Sequence, residues 1–143
     1  MKWSQKLSCP IKTGIERLFS EESVTYLNEI ILLTKAQIVV TSNWRLQLTI
    51  DELNEIFSER GVIGRVASKT TTNFVRKNSP LILGVRGLEI REWLDTHYCT
   101  DYVVIDDQIN DIVDYIPKAK IVKVNPQLGL SSDNVDKAVN VLL

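Results

Sequence analysis

Apolar and polar positions fall in blocks along this chain, and the blocks predict helices and strands in turn. Val24, Leu27, Ile30 and Ile31 recur at helical spacing up to about Thr34. Ser20 ahead of them is a good N-cap, Glu21 and Glu22 suit the positive end of the helix dipole, and Phe19 against Val24 fits a hydrophobic staple. The next stretch, AQIVVTSNWR from Ala36 to Arg45, changes character midway. Ile38, Val39 and Val40 are β-branched and unbroken, which suits a strand over Ala36–Thr41 buried on both faces of a parallel sheet. Thr41, Ser42 and Asn43 then gather small hydrogen-bonding groups at its carboxyl end.

The same grammar continues. Thr49-Ile50-Asp51-Glu52 is a capping box, with Leu48 and Leu53 in the staple positions and Leu53, Ile56 and Phe57 as the buried stripe. Gly61 is placed to end that helix in the left-handed conformation. A second strand is expected over Val62–Ala67, a long loop over Ser68–Val85, and a helix from about Gly87 to Thr96 with Ile90, Trp93 and Leu94 inward. Tyr102–Ile105 reads as a third strand, Ile109–Ile116 as a short helix stopped by Pro117, and Ala119–Val124 as a fourth strand. Leu130 and Ser131 staple and cap a last helix whose Val135, Ala138, Val139 and Leu142 face the core. Strand and helix alternate without internal repeat, so the fold class is α/β with a parallel sheet.

Residues 1–19 stand apart. Cys9-Pro10 and Thr13-Gly14 are turn signals, and only Lys2–Ser8 alternates in a way that allows a short strand. An irregular N-terminal segment over 1–19 ahead of a domain over 20–143 is the expected organisation. At 143 residues, 44% hydrophobic and 24% charged, the chain is one ordinary globular domain. A net charge of −1 offers no whole-chain attraction for nucleic acid. Cys9 and Cys99 fall in no metal-ligand spacing and read as reduced thiols, and no apolar run is long enough to span a bilayer. These features make the cytoplasm the expected compartment.

The residues with chemical potential cluster at strand ends, where open α/β sheets bind ligands. Asp106 and Asp107 follow four apolar residues, and a carboxylate pair there either holds a hard cation such as Mg²⁺ or caps and solvates the next turn. Thr41, Ser42 and Asn43 either bind a phosphate through hydroxyl, amide and backbone N–H groups or merely cap their turn. Arg45 beside Trp44 either recognises phosphate in a bidentate manner or lies on the surface. Arg86, just before the Gly87 helix, brings a cation near the same rim or is solvated, and Lys69 with Thr70–Thr72 has the same two readings. His97 has no partner at a recognisable spacing and reads as structural or exposed. There is no glycine-rich phosphate loop, nucleophile elbow or Cys/His cluster.

Taken in order, IVVTSNWR, RGLEIREWL, YVVIDD and NPQLGLSSDNVDKAV resemble the haloacid dehalogenase (HAD) superfamily. More narrowly, they are similar to the small, nearly capless phosphatase-like domains of bacterial RNA-repair proteins. The resemblance covers roughly Phe19 to the C-terminus. It implies a three-layer, Rossmann-like parallel sheet with helices on both faces. It also implies Thr41 as the phosphoryl-binding hydroxyl, Arg86 as the cation steadying the phosphoryl charge, and Asp106, helped by Asp107, as Mg²⁺ ligand.

One family feature is missing. The resembled domains begin with a strand ending in Asp-x-Asp, whose first carboxylate attacks phosphorus and whose second moves the proton. Here no acid precedes Glu16 and no aspartate precedes Asp51, so the first, central strand is expected to be missing or replaced. Two functions follow from the resemblance. One is a catalytically degenerate domain that keeps a phosphate- and metal-facing rim and works as a binding or regulatory module. The other is a Mg²⁺-dependent phosphohydrolase whose nucleophile comes from another segment or a partner chain. Either implies a phosphorylated small molecule or nucleic-acid end as ligand and a weakly held Mg²⁺. Lys2–Ser8 alternates like an edge strand rather than a central one, and direct pairing of the flanking strands would pull Thr41 towards Asp106, so a rearranged N-terminal segment or strand exchange in a homodimer is expected to fill the central gap.

Overall fold

The computed structural model describes residues 2–3, 20–41, 48–70 and 85–143. Its sheet consists of β1 (Lys2–Trp3), β2 (Ile38–Val40), β3 (Val66–Lys69), β4 (Val104–Asp106) and β5 (Ile121–Lys123). The spatial order is β3-β2-β1-β4-β5, and every neighbouring pair is parallel. The described residues also form four α-helices, α1 (Glu21–Thr34), α2 (Ile50–Glu59), α3 (Val85–His97) and α4 (Ser132–Leu142), and a short 3-10 helix at Lys118–Lys120. This is the α/β architecture the alternating pattern predicts.

The helix starts follow their capping chemistry. Ser20 Oγ accepts from the Ser23 N–H at 3.2 Å, and reciprocal capping boxes close Thr49 with Glu52 and Ser131 with Asn134. Gly61, at φ +87°, supplies the left-handed residue after α2. Two apolar clusters hold these elements. Leu27, Ile30, Leu53, Phe57, Val135 and Ala138 from α1, α2 and α4 pack with Ile38, Val40, Val66, Val103, Ile105 and Val122. Ile90 and Leu94 of α3 pack with Tyr102, Val104, Ile112, Ile116 and Ile121. Successive residues of Tyr102–Ile105 thus enter opposite clusters, which is why this run is apolar throughout rather than alternating.

The centre of the sheet is filled by the N-terminal segment. Lys2 pairs with both Val39 and Val104, and Trp3 with both Val40 and Ile105. Lys2–Trp3 therefore lies at the centre, although the alternation that begins there suits an edge. Two flanking rows of backbone N–H and C=O groups need partners, and a short segment that satisfies both outweighs its side-chain pattern.

Several boundaries differ from the sequence expectation: β3, for one, runs to Lys69, into the expected loop over Ser68–Val85, of which residues 71–84 lie outside the described residues. The second strand begins at Val66 rather than Val62. Asn54 of α2 sets that point: its Nδ2 donates to the Val66 carbonyl at 2.9 Å, and its Oδ1 accepts the Val66 N–H at 2.8 Å. α3 starts at Val85, ahead of Gly87. Residues 109–116 form successive turns instead of a helix, closed by Val113 N–H to Ile109 C=O (3.0 Å) and Ile116 N–H to Ile112 C=O (2.9 Å). The segment is short, rich in β-branched residues and followed by Pro117, so burial of Ile112 and Ile116 fixes it without helix propagation. Among the described residues no helix is long and apolar enough to cross a membrane.

Candidate phosphate-facing rim

Parallel strands bring their carboxyl ends to one edge. There Thr41 follows β2, Thr70 follows β3, Asp106 ends β4 and Asp107 follows it. The register carries Thr41 and Asp106 one residue beyond Val40 and Ile105, the two positions that flank Trp3. Thr41 and Asp106 are therefore two strand spacings apart, roughly 10 Å. Thr41 is fully buried. Ser42, Asn43, Trp44 and Arg45 lie outside the described residues, as does Phe19 with its staple.

α3 crosses back over the sheet, so its first turn returns to this rim. Arg86 Nη1 donates to Asp106 Oδ2 at 2.8 Å, while the Gln108 N–H donates to Asp106 Oδ1 at 3.0 Å. The helix can come this close because of Gly87: a Cβ there would run into the Asp111 carbonyl oxygen and the Tyr115 ring. Asp106 has no exposed surface and Arg86 keeps 23% of its side chain in solvent. Burial pushes the Asp106 carboxyl up to about 6 from its ordinary 3.8. The Arg86 charge and the Gln108 N–H pull it down, and a hydrogen bond with the Asp107 carboxyl raises it further.

This arrangement bears on the expected cation. Asp106 has a guanidinium on one oxygen and a backbone N–H on the other. Among the described residues no group of three His, Cys, Asp or Glu side chains is placed to hold a metal. Mg²⁺ takes near-octahedral oxygen coordination and gains nothing from a guanidinium beside its ligand. Of the expected ligands, Asp106 thus meets any cation with Arg86 already on one of its oxygens.

A family model described as the HAD domain in Swiss Army Knife RNA repair proteins matches residues 2–135. The chain belongs to this family. No curated protein and no solved structure matches it. In this HAD domain the match begins within the central strand, where the resemblance expects Asp-x-Asp, yet the chain has no aspartate before Asp51.

Glu89 is a buried polar residue that the sequence reading does not single out, and Thr70 appears in it only with Lys69 and the two following threonines. Glu89 of α3 is 2% exposed and Thr70 is 3% exposed. Glu89 could have been found, since it falls on the same helical stripe as Ile90 and Trp93. Thr70 is one of three consecutive threonines, and nothing in their order distinguishes it. His97 does have a partner at helical spacing: its ring stacks on Trp93 with centroids 4.1 Å apart and planes 9° from parallel. That stack borders an open groove of about 680 Å³, lined in part by Lys35, Gln37, Ser68, Trp93, His97 and Asp101, at the amino edge of the sheet. The groove lies opposite the acid pair. Cys99 is a free thiol, and Cys9 is outside the described residues.

Proposed function

We propose that this HAD domain binds phosphorylated nucleic-acid ends at the rim where Thr41, Arg86, Asp106 and Asp107 meet, with Ser42, Asn43 and Arg45 as further phosphate-binding candidates from the sequence, and without itself supplying a carboxylate nucleophile. The observation that carries this reading is the Arg86–Asp106 pair beside a central strand, Lys2–Trp3, that brings no acid. An Arg presents five N–H donors, and one bond to Asp106 leaves others to meet phosphate oxygens. Thr41 adds a hydroxyl two strands away. Nucleic-acid ends, rather than phosphorylated small molecules, are favoured by the family, which is described from RNA repair proteins. A three-layer arrangement is supported by the apolar clusters on the two sides of β4, and the cytoplasm by the free Cys99 thiol.

A second reading is a phosphohydrolase whose nucleophile comes from another segment or a partner chain. It is favoured by Asp106, a buried carboxyl whose affinity for its proton is shifted at a strand end, where catalytic acids are found.

Binding and turnover separate the two. Fluorescence titration should show that a terminally phosphorylated RNA oligonucleotide binds at least about fivefold more tightly than its hydroxyl-ended form, with the difference lost in Arg86→Gln. No phosphate should be released from either RNA or an aryl phosphate, with or without Mg²⁺. Turnover that disappears in Asp106→Asn and Thr41→Val would replace the binding reading with the enzymatic one. Equal affinity for the two RNAs would remove both.

A further inference from the structure

Thr70 holds a hydroxyl that the described residues do not use. It is the first residue after β3 and is 3% exposed. Its Oγ1 is buried without a hydrogen-bond partner among the described residues. A hydroxyl left in that condition costs roughly 1–3 kcal/mol, and native structures keep few of them. Its backbone, by contrast, is well used, with the Thr70 N–H donating to the Val40 carbonyl at 3.1 Å.

The surroundings say where that hydroxyl lies. Val40 pairs with Lys69, so Thr70 stands level with Thr41 on the neighbouring strand. Trp93 Nε1 donates to Ser68 Oγ at 2.9 Å, which pins α3 above this face of β3. Thr70 is two residues beyond Ser68 and therefore on the same face. That step is roughly 6.6 Å along the strand, close to the roughly 6 Å from Trp93 back to Glu89 on the helix. Thr70 thus sits under the early turns of α3, on the side from which Arg86 descends to Asp106.

We infer that Thr70 is a specificity residue of the rim, hydrogen-bonding the part of a nucleic-acid end that adjoins its terminal phosphate. The inference rests on the reading proposed above. Sheet order puts Thr70 three strand spacings, roughly 14 Å, from Asp106, with Thr41 between them. A free phosphate held near Arg86 cannot also reach that hydroxyl. A nucleotide can, because its ribose or its next phosphodiester extends along the strand ends. Thr70 thereby gives the rim a means of preferring a polynucleotide end to inorganic phosphate.

The test uses the full chain and two probes, inorganic phosphate and an RNA dinucleotide with a terminal phosphate, in separate 5′ and 3′ versions. Thr70→Val should weaken binding of one dinucleotide about five- to tenfold and leave inorganic phosphate unchanged, whereas Thr70→Ser should bind both like the wild type. The melting temperature of Thr70→Val should be equal to or above that of the wild type, because the hydroxyl makes no hydrogen bond among the described residues. Wild type and Thr70→Val binding the dinucleotides equally would overturn the assignment, as would equal losses for both probes or a lower melting temperature. Failure of the underlying reading looks different: the wild type then binds neither probe, Arg86→Gln changes nothing, and the role of Thr70 falls with it.

Discussion

Arg86 reaches from the first turn of α3 to the last residue of β4, where its Nη1 lies 2.8 Å from Asp106 Oδ2. Twenty residues separate the two in sequence, and the pair ties the helix start to the strand end. The partners are unequal. Arg86 retains contact with water, while Asp106 depends on the guanidinium and the Gln108 N–H for its solvation. The pair therefore shelters one charge inside the fold and leaves the other partly in water.

That cost has a pH signature. Burial raises the Asp106 carboxyl from 3.8 to about 6, so the folded protein holds this proton more tightly than the unfolded chain. The resulting stabilisation is complete below 3.8 and is lost as pH rises through about 6. Asp106→Asn removes the titration. Relative to wild type, the variant should gain about 1–2 kcal/mol between pH 5 and pH 8. Urea unfolding of both proteins in metal-free buffer checks this, and a constant difference across that range would contradict the shift.

How much of this was legible beforehand depends on how local the signal is. Ser20, Thr49 and Ser131 announce their helices because a cap is a contact within three residues, and Ile38–Val40 announces its strand by composition. Arg86 and Asp106 were each visible as candidates, but their contact spans two elements and is a product of packing. The start of β3 at Val66 rather than Val62 has the same origin, since Asn54 twelve residues earlier decides where the strand begins. The central place of Lys2–Trp3 is the extreme case, set by the unmet backbone groups of β2 and β4 and not by any pattern in the segment itself.

Asn54 makes a separate test. β3 is an edge strand of the described sheet, and the Asn54 amide occupies both backbone groups of Val66 much as a neighbouring strand would. Asn54→Ala leaves the buried Val66 N–H and C=O without those partners and should destabilise the fold by about 2–3 kcal/mol. Asn54→Asp keeps only the acceptor and should fall between. Chemical denaturation ranks the three proteins, and an alanine variant as stable as wild type would show that the clamp is incidental.

Gly87 links stability to binding. Its lack of a side chain lets α3 approach the Asp111 carbonyl and the Tyr115 ring. Gly87→Ala adds a methyl group where backbone cannot yield, so a loss of about 1–3 kcal/mol is expected from overpacking despite alanine's better helix propensity. The displaced helix start also draws Arg86 off Asp106, and affinity for phosphorylated RNA should fall with it. A variant that melts higher than wild type would mean the helix start tolerates the shift.

The last prediction concerns Mg²⁺. A hard cation wants several anionic oxygens in near-octahedral array, and Asp106 and Asp107 provide one pair. Both Asp106 oxygens are already engaged, Oδ2 by Arg86 and Oδ1 by the Gln108 N–H. To bind there, Mg²⁺ would have to displace a guanidinium or share a carboxylate with it, at a mutual repulsion that falls only slowly inside a poorly solvated rim. Calorimetric titration of the metal-free protein with Mg²⁺ should therefore give affinity no tighter than about millimolar, the weak end for hard divalent cations on proteins. Arg86→Gln removes the competing charge and should strengthen binding, while Asp106→Asn should abolish what remains. Micromolar binding by the wild type, lost in Asp106→Asn, would mean that a further carboxylate or carbonyl reaches this rim, and would move the domain from the binding reading to the enzymatic one.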